Sequence, residues 1–190
     1  QLVQSVEKPR KIMMMVKAGK PVDETIDKLL VYMEPGDIII DGGNSYFEDT
    51  ERRTRYVENK GLYYIGTGVS GGEEGALHGP SIMPGGSCQA WPAVQRIFQD
   101  IAAKTEDGTP CCDWIGPGGS GHFVKMVHNG IEYGDMQLIS EIFWIMQCGL
   151  GMSYQEIHKV FDQWNKGRLD SYLIQITSDI LGYADTDGTP

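Results

Sequence analysis

The sequence predicts an α/β fold, a mostly parallel sheet covered on both faces, followed by a segment of helices alone. Three observations predict it. Short, continuous apolar runs rich in β-formers alternate with helical patterns in the first part of the chain. Those runs lack the polar alternation of a sheet with one wet face, which points to strands buried on both sides. After Gly116-Pro-Gly-Gly119 every pattern is helical. No internal repeat or low-complexity tract interrupts this plan.

The elements follow in order. Lys11-Ile-Met-Met-Met-Val16 reads as a strand, and a helix led by Pro21 runs through Val31, since proline suits the first helical turn. Asp37-Ile-Ile-Ile-Asp41 is a second strand, Thr50 to Lys60 a polar helix, Tyr63-Tyr-Ile65 a third strand and Ser81-Ile-Met83 a fourth. Trp91 to Ala103 is a helix and Asp113-Trp-Ile115 a fifth strand. Ser120 suits an N-cap for the helix that follows, and Gly149 to Gly151 suits its stop. A boundary near 117 divides the chain into 1–117 and 118–190. Ser153-Tyr-Gln-Glu156 reads as a capping box, and Leu169 to Leu181 as a further helix ending at Gly182.

Composition narrows the function classes. A chain of 190 residues with 41% hydrophobic content buries about 70% of its unfolded surface, enough for one or two cores. A net charge of −10 argues against nucleic acid or an anionic membrane as the main partner, because both need a cationic surface. A small anionic ligand needs only local cations. Cys88, Cys111, Cys112 and Cys148 form no CxxC pair, so reduced thiols are expected rather than a zinc site or a disulfide framework. No run approaches ~18 apolar residues and Gln1 onward lacks a signal-peptide pattern, which leads to a cytoplasmic expectation.

The chemistry concentrates in residues 121 to 138. Lys125, His128, Asn129 and Glu132 fall within an arc of about 100° on one helical face. Phe123, Val124, Met126, Val127 and Ile131 take the other faces. This predicts a buried helix with a narrow polar stripe facing a polar cavity. A solvated Lys/Glu stripe is the plain alternative, and the apolar surroundings argue against it. In a cavity, lysine serves as a base when its pKa is depressed and glutamate as an acid when its own is raised. Asn129-Gly130 is also a turn dipeptide, but the apolar pattern continues through Leu138, Ile139, Ile142 and Phe143.

Glycine-rich segments supply further candidates. Gly66-Thr-Gly68-Val-Ser-Gly71 satisfies the dinucleotide G-x-G-x-x-G spacing. That fingerprint needs a helix opening at once and an acidic residue about 20 positions on. Neither is expected here, where Glu73-Glu74-Gly75 leads to Gly79-Pro80 and residues 89 to 91 are Gln, Ala and Trp. Asp41-Gly-Gly-Asn44 ends a strand, and the C-terminal ends of parallel strands are where open α/β sheets bind ligands. Lys17-Ala18-Gly19 sits at another strand end, where a lone lysine is usually just exposed.

The residues then carry a resemblance. Asp41-Gly-Gly-Asn-Ser45, Gly68-Val-Ser-Gly-Gly-Glu-Glu-Gly75, Gly79-Pro-Ser-Ile-Met-Pro-Gly-Gly86, Gly121-His-Phe-Val-Lys-Met-Val-His-Asn-Gly-Ile-Glu-Tyr133, and Trp164-Asn165 with Leu169-Asp-Ser-Tyr-Leu173 occur in the order found in the 6-phosphogluconate dehydrogenases. Gly121, Lys125 and Asn129 are shared by the wider β-hydroxyacid dehydrogenases, one of which is the alternative. His128 and Ile131-Glu132-Tyr133 resemble the 6-phosphogluconate enzymes specifically.

The resemblance implies a partial Rossmann-like, doubly wound domain followed by the start of an all-helical substrate and dimerisation domain. It implies NADP as cofactor, a sugar-acid phosphate as substrate, no metal, a homodimer, and oxidative decarboxylation of 6-phosphogluconate in the pentose phosphate pathway. By the same route, Lys125 is the base and Glu132 the acid. Asn44, Ser70, Gly71, Gly72, His128, Asn129 and Tyr133 hold substrate, and Lys17 with Asn44 contacts the coenzyme. Two departures stand out, Leu77-His78 where Arg-Tyr is usual and Tyr46-Phe-Glu48 where Glu-Tyr-Arg is common. The family's first glycine fingerprint and its substrate-phosphate cations are not found in these residues, so the chain is expected to be an internal fragment, with catalytic incompetence in isolation as an alternative.

Overall fold

The computed structural model describes residues 2–184, divided between two compact units, residues 1–128 and 129–190. The first contains β1 (Lys11–Met14), α1 (Lys20–Leu30), β2 (Ile38–Asp41), α2 (Phe47–Glu58), β3 (Tyr63–Ser70), α3 (Gly72–His78), β4 (Ser81–Gly86), α4 (Trp91–Ile101), β5 (Gly116–Pro117) and the start of α5 (Ser120–Trp144). Proline in the first turn starts α1 and α4, where its missing N–H costs no helical hydrogen bond.

The strands lie side by side in chain order. β1, β2 and β3 run parallel, β4 returns antiparallel to β3, and β5 is parallel to β4. The reversal at β4 follows from its connection. Gly71 to Pro80, including the short α3, is too brief for the parallel crossover, which takes a dozen or more residues.

Two-residue periodicity makes the sheet two-faced. Ile39 packs with Val22, Ile26, Val57 and Tyr64 in one core. Its neighbours Ile38 and Ile40 pack with Ile65, Ile82, Val94 and Phe98 in the other. All four residues of β2 are buried, which explains the unbroken apolar run.

Several elements differ from expectation. α2 opens at Phe47, three residues before Thr50. β3 continues through Ser70 and β4 through Gly86 because the two pair along residues 65–70 and 81–86. The expected fifth strand at Asp113-Trp-Ile115 is displaced to Gly116–Pro117. The Asp113 carboxylate accepts the Trp114 N–H at 2.8 Å, a local bond that competes with the ladder. Trp114 packs on Trp91 instead, with ring centroids 5.9 Å apart.

The second unit holds the remainder of α5, a π-helical turn at Ile145–Gly149, α6 (Tyr154–Trp164) and α7 (Tyr172–Gly182). The capping box opens α6 as expected: Ser153 accepts from the Glu156 N–H, and the Glu156 carboxylate accepts the Ser153 N–H at 2.8 Å. α7 starts at Tyr172 rather than Leu169, because Ser171 caps it by accepting from the Ile174 N–H. Met146, Ile157, Phe161, Ile174 and Leu181 form this unit's core. Among the described residues no helix is long and apolar enough to cross a membrane.

A buried ion pair locks the start of β1 to the turn before β2. Arg10 donates from its backbone N–H and from Nη1 to the Asp37 carboxylate, both at 2.7 Å, and the Glu34 N–H adds a third bond at 2.9 Å. Burial pushes the Asp37 carboxyl up, but the Glu34 N–H and the two Arg10 donors outweigh it and hold the group below its ordinary value. A carboxylate held low in the folded state contributes stability above its unfolded pKa, about 4, and loses it as pH falls through the folded value. Urea midpoints are therefore expected to fall with acidification below about pH 4. Asp37→Asn lowers the midpoint at neutral pH and flattens that acid slope, and a variant matching the parent in both would contradict the assignment.

Candidate active site

The site is built on strand ends. Met14 of β1 is level with Asp41 of β2, and Asp41 with Gly66 of β3, so the chain leaves β1 and β2 at the same edge of the sheet. A cavity of about 410 Å³ lies there, lined by Met15 and Val16, by Gly42, Gly43 and Asn44, and by Val69, Ser70, Gly71, Gly72, Ala76 and Pro80.

Asp41 shapes one wall. Its fully buried carboxylate accepts from the Gly43 N–H at 3.0 Å, the Ser45 hydroxyl at 2.6 Å and the Tyr64 hydroxyl at 3.1 Å. Bonding its own backbone two residues on is the Asx turn, and it folds the chain back as it leaves the strand. Burial, with the Asp41 charge beside it, pushes the Tyr64 phenol far above its usual range, so Tyr64 remains a donor. Asn44 is left exposed at the cavity.

The opposite wall is β3 and the turn into α3. Gly72 has φ +57°, a conformation in which a side chain would be strained. At Gly71 a Cβ would stand 2.8 Å from the Gly75 Cα. A seven-residue helix opens directly after this glycine run, contrary to expectation. The segment therefore meets the helix condition of the dinucleotide fingerprint, but the return strand is antiparallel, so it is no βαβ unit.

α5 approaches β3 and β4 closely. A Cβ at Gly121 would lie 2.3 Å from the Met83 carbonyl and 2.5 Å from that of Gly66, and a Cβ at Gly85 would lie 2.6 Å from the Gly121 nitrogen. Only glycine permits that backbone contact. The approach sets the Cβ of Lys125 where a side chain on Gly68 would begin, 2.4 Å from it. Lys125 is 9% exposed. Two bonds from α2 support the start of the helix: Glu51 accepts the Gly119 N–H at 3.0 Å, and Thr50 bonds Nδ1 of the buried His122 at 2.7 Å.

The structure brings Asn44, Ser70, Gly71 and Gly72 together around one cavity and buries Lys125 beside Gly68, two residues before Ser70. On α5, Asn129 and Glu132 are half-buried, whereas His128 and Tyr133 are exposed. Lys17 is exposed next to Val16 and does not line the cavity. The expected apolar envelope of α5 is inverted: Phe123, Val124, Met126, Val127 and Ile131 are 36% to 63% exposed. The reason is that Gly121, His122 and Lys125 make the approach to the sheet, and the apolar side chains stay partly exposed, with Phe123 meeting the Phe47 ring edge-on at 5.2 Å between centroids. Ser120 is the first residue of α5, and its buried hydroxyl has no partner, so the expected cap is not made. Sequence reasoning missed Asp41, Ser45, Tyr64, Thr50 and His122. The Asp-Gly-Gly turn signal pointed to Asp41; Thr50 carries none.

Fold and cavity together define an α/β domain with a ligand-sized cleft at its strand ends. The fold is shared with 3-hydroxyisobutyrate dehydrogenase of Mycobacterium tuberculosis at TM-score 0.72 and 20% identity, over 90% of this chain and 56% of that one. The family model for the NAD binding domain of 6-phosphogluconate dehydrogenase matches residues 1–116, and that for the enzyme's C-terminal domain matches residues 121–190. The chain belongs to the 6-phosphogluconate dehydrogenase family. It is 63% identical over 190 residues to the decarboxylating 6-phosphogluconate dehydrogenase of Treponema pallidum and 57% identical over 188 residues to that of Homo sapiens. All or nearly all of this chain aligns, but it spans only 39% of either relative. A solved Plasmodium falciparum 6-phosphogluconate dehydrogenase, described in apo form and in complexes with NADP+ and 6-phosphogluconate, superposes at TM-score 0.92 and 50% identity, over 97% of this chain and 39% of that one.

The Asp41 clamp yields a prediction. Asp41→Asn keeps the shape but leaves one oxygen to accept from three donors, and is expected to cost about 1–3 kcal/mol in urea unfolding. Unchanged stability would show that the carboxylate does not hold this wall.

Proposed function

We propose that this chain carries part of the active site for NADP-dependent oxidative decarboxylation of 6-phosphogluconate to ribulose 5-phosphate and carbon dioxide. The observation that carries the reading is the buried Lys125 beside the β3 face that leads to the Asn44 and Ser70–Gly72 cavity. The same reading makes it a cytoplasmic enzyme of the pentose phosphate pathway that works as a homodimer.

The cavity suits the nicotinamide end of the coenzyme, with Met15 and Val16 offering apolar surface and Asn44 an amide. Bound NADP supplies the acceptor for the hydride from the substrate's hydroxyl-bearing carbon. Everything else falls to side chains. Lys125 takes the hydroxyl proton at Nζ while neutral, and the resulting ammonium donates to the new carbonyl oxygen as the carboxylate leaves as carbon dioxide. The keto group β to the carboxylate accepts the electron pair of the breaking carbon–carbon bond, giving the enediol, so the step needs no metal. Glu132, seven residues along the same helix, returns a proton to C1 of the enediol. Asn129 and His128 orient substrate oxygens, Ser70 to Gly72 hold the carboxylate end, Tyr133 serves near the phosphate, and Lys17 lies on the coenzyme side.

A second reading is that the 190 residues fold but do not turn over by themselves, and their 39% coverage of the relatives favours it. NADPH formation from 6-phosphogluconate by the purified chain decides between them, with an intact family enzyme as control. If the chain is active, Lys125→Met is expected to lower the rate about 100- to 10,000-fold, the range a general base supplies. Turnover that survives the substitution would remove Lys125 as base, and no turnover from folded parent would establish the second reading.

A further inference from the structure

His122 is among the largest fully buried side chains, 1% exposed. Nδ1 meets the Thr50 hydroxyl at 2.7 Å, but Nε2 is buried without a hydrogen-bond partner. Burial pulls the imidazole below its ordinary value, against the opposing Asp41 carboxylate and the backbone of Gly43 and Thr67, so the ring is neutral at neutral pH. The ring is held by the Thr50 hydroxyl on one side and lies against the backbone of Gly43 and Thr67.

The ring lies over Gly66, whose Cβ would stand 3.0 Å from Nδ1. Lys125, one helical turn on, lies over Gly68. Gly66, Gly68 and Ser70 are alternate residues of β3 and share one sheet face. α5 is thus registered on β3 at two successive points, and the next position on that face is Ser70, at the cavity. Glycine at both points allows closeness but supplies no side chain to stop the helix sliding.

We infer that His122 is a positioning residue, which through its bond to Thr50 fixes the register of α5 on β3 and so sets where Lys125 stands relative to Ser70. The inference rests on Lys125 being the base, and it adds a hydroxyl–imidazole pair 72 residues apart in sequence to the machinery around it.

The test follows acetylation of Lys125 by limiting acetic anhydride across a pH series, read by peptide mass spectrometry on the whole chain. Parent, Thr50→Val, His122→Phe and His122→Asn are compared, with exposed Lys28 as internal reference. Thr50→Val keeps the shape and removes the hydroxyl, and His122→Asn restores an amide within reach of it. Lys125 is expected to label on the order of threefold faster at neutral pH in Thr50→Val and His122→Phe, the change carried by about half a pH unit. His122→Asn should return toward the parent while Lys28 stays constant. An unchanged Lys125 profile in folded Thr50→Val overturns the inference, as does equal acceleration at Lys28. The role of Lys125 as base is judged separately by turnover of Lys125→Met, so either idea can fail while the other stands.

Discussion

α5 comes very near the sheet where its first turns meet β3 and β4: a Cβ on Gly121 would lie 2.3 Å from the Met83 carbonyl, one on Gly85 2.6 Å from the Gly121 nitrogen and one on Gly68 2.4 Å from the Lys125 Cβ, while Gly66 faces Thr50 of α2. Each of these positions would carry a Cβ within 2.6 Å of a neighbouring heavy atom, a separation that real side chains do not adopt. Helix and sheet are therefore nearer than ordinary side-chain packing allows. Lys125 is buried there, with its Cβ and Cγ against Gly68.

α2 converts this closeness into a defined geometry. Thr50 holds His122 and Glu51 holds the Gly119 N–H. Arg53, with a fully buried side chain, reaches the other way to the Gly19 carbonyl and the Asp23 carboxylate. Burial opposes the Arg53 charge, but the bond to Asp23 and the electrostatic attraction of Tyr64, Asp23 and Asp49 together raise its pKa, so the ion pair persists. One helix thereby ties the start of α1 to the start of α5, on either side of the loop that carries Asn44. A buried pair of this kind contributes geometry more securely than net stability.

Much of this was legible in the residues, for identifiable reasons. Lys11–Val16, Asp37–Asp41 and the Pro21 helix were readable because buried parallel strands are continuous apolar runs and proline marks a first turn. Ser153 and Glu156 announced α6 through a reciprocal cap that needs only local sequence. Gly66 to Ser70 hid the second half of β3, since glycine carries no strand signal and the pairing that creates it comes from β4. Asp113 diverted an apparent strand by bonding its neighbour. The apolar pattern around α5 was read as burial, whereas the burial runs through the glycines and His122, a contact that periodicity cannot register. Asn44, Ser70, Gly71 and Gly72, which line one cavity, were singled out by motif order, and buried Lys125 by helical spacing before the motifs. Thr50 and His122 needed the three-dimensional pairing of distant segments.

The glycine seat can be tested by paired unfolding of Gly68→Ala and Gly130→Ala. A methyl at Gly68 would meet the Lys125 Cβ at 2.4 Å, and one at Gly130 would meet nothing within 4 Å. The account predicts that Gly68→Ala loses about 1–3 kcal/mol, while Gly130→Ala, a helix-interior glycine in open space, gains about 0.5–1 kcal/mol. Equal stability of Gly68→Ala and the parent would contradict the claim that the bare Gly68 backbone makes room for α5 and places Lys125.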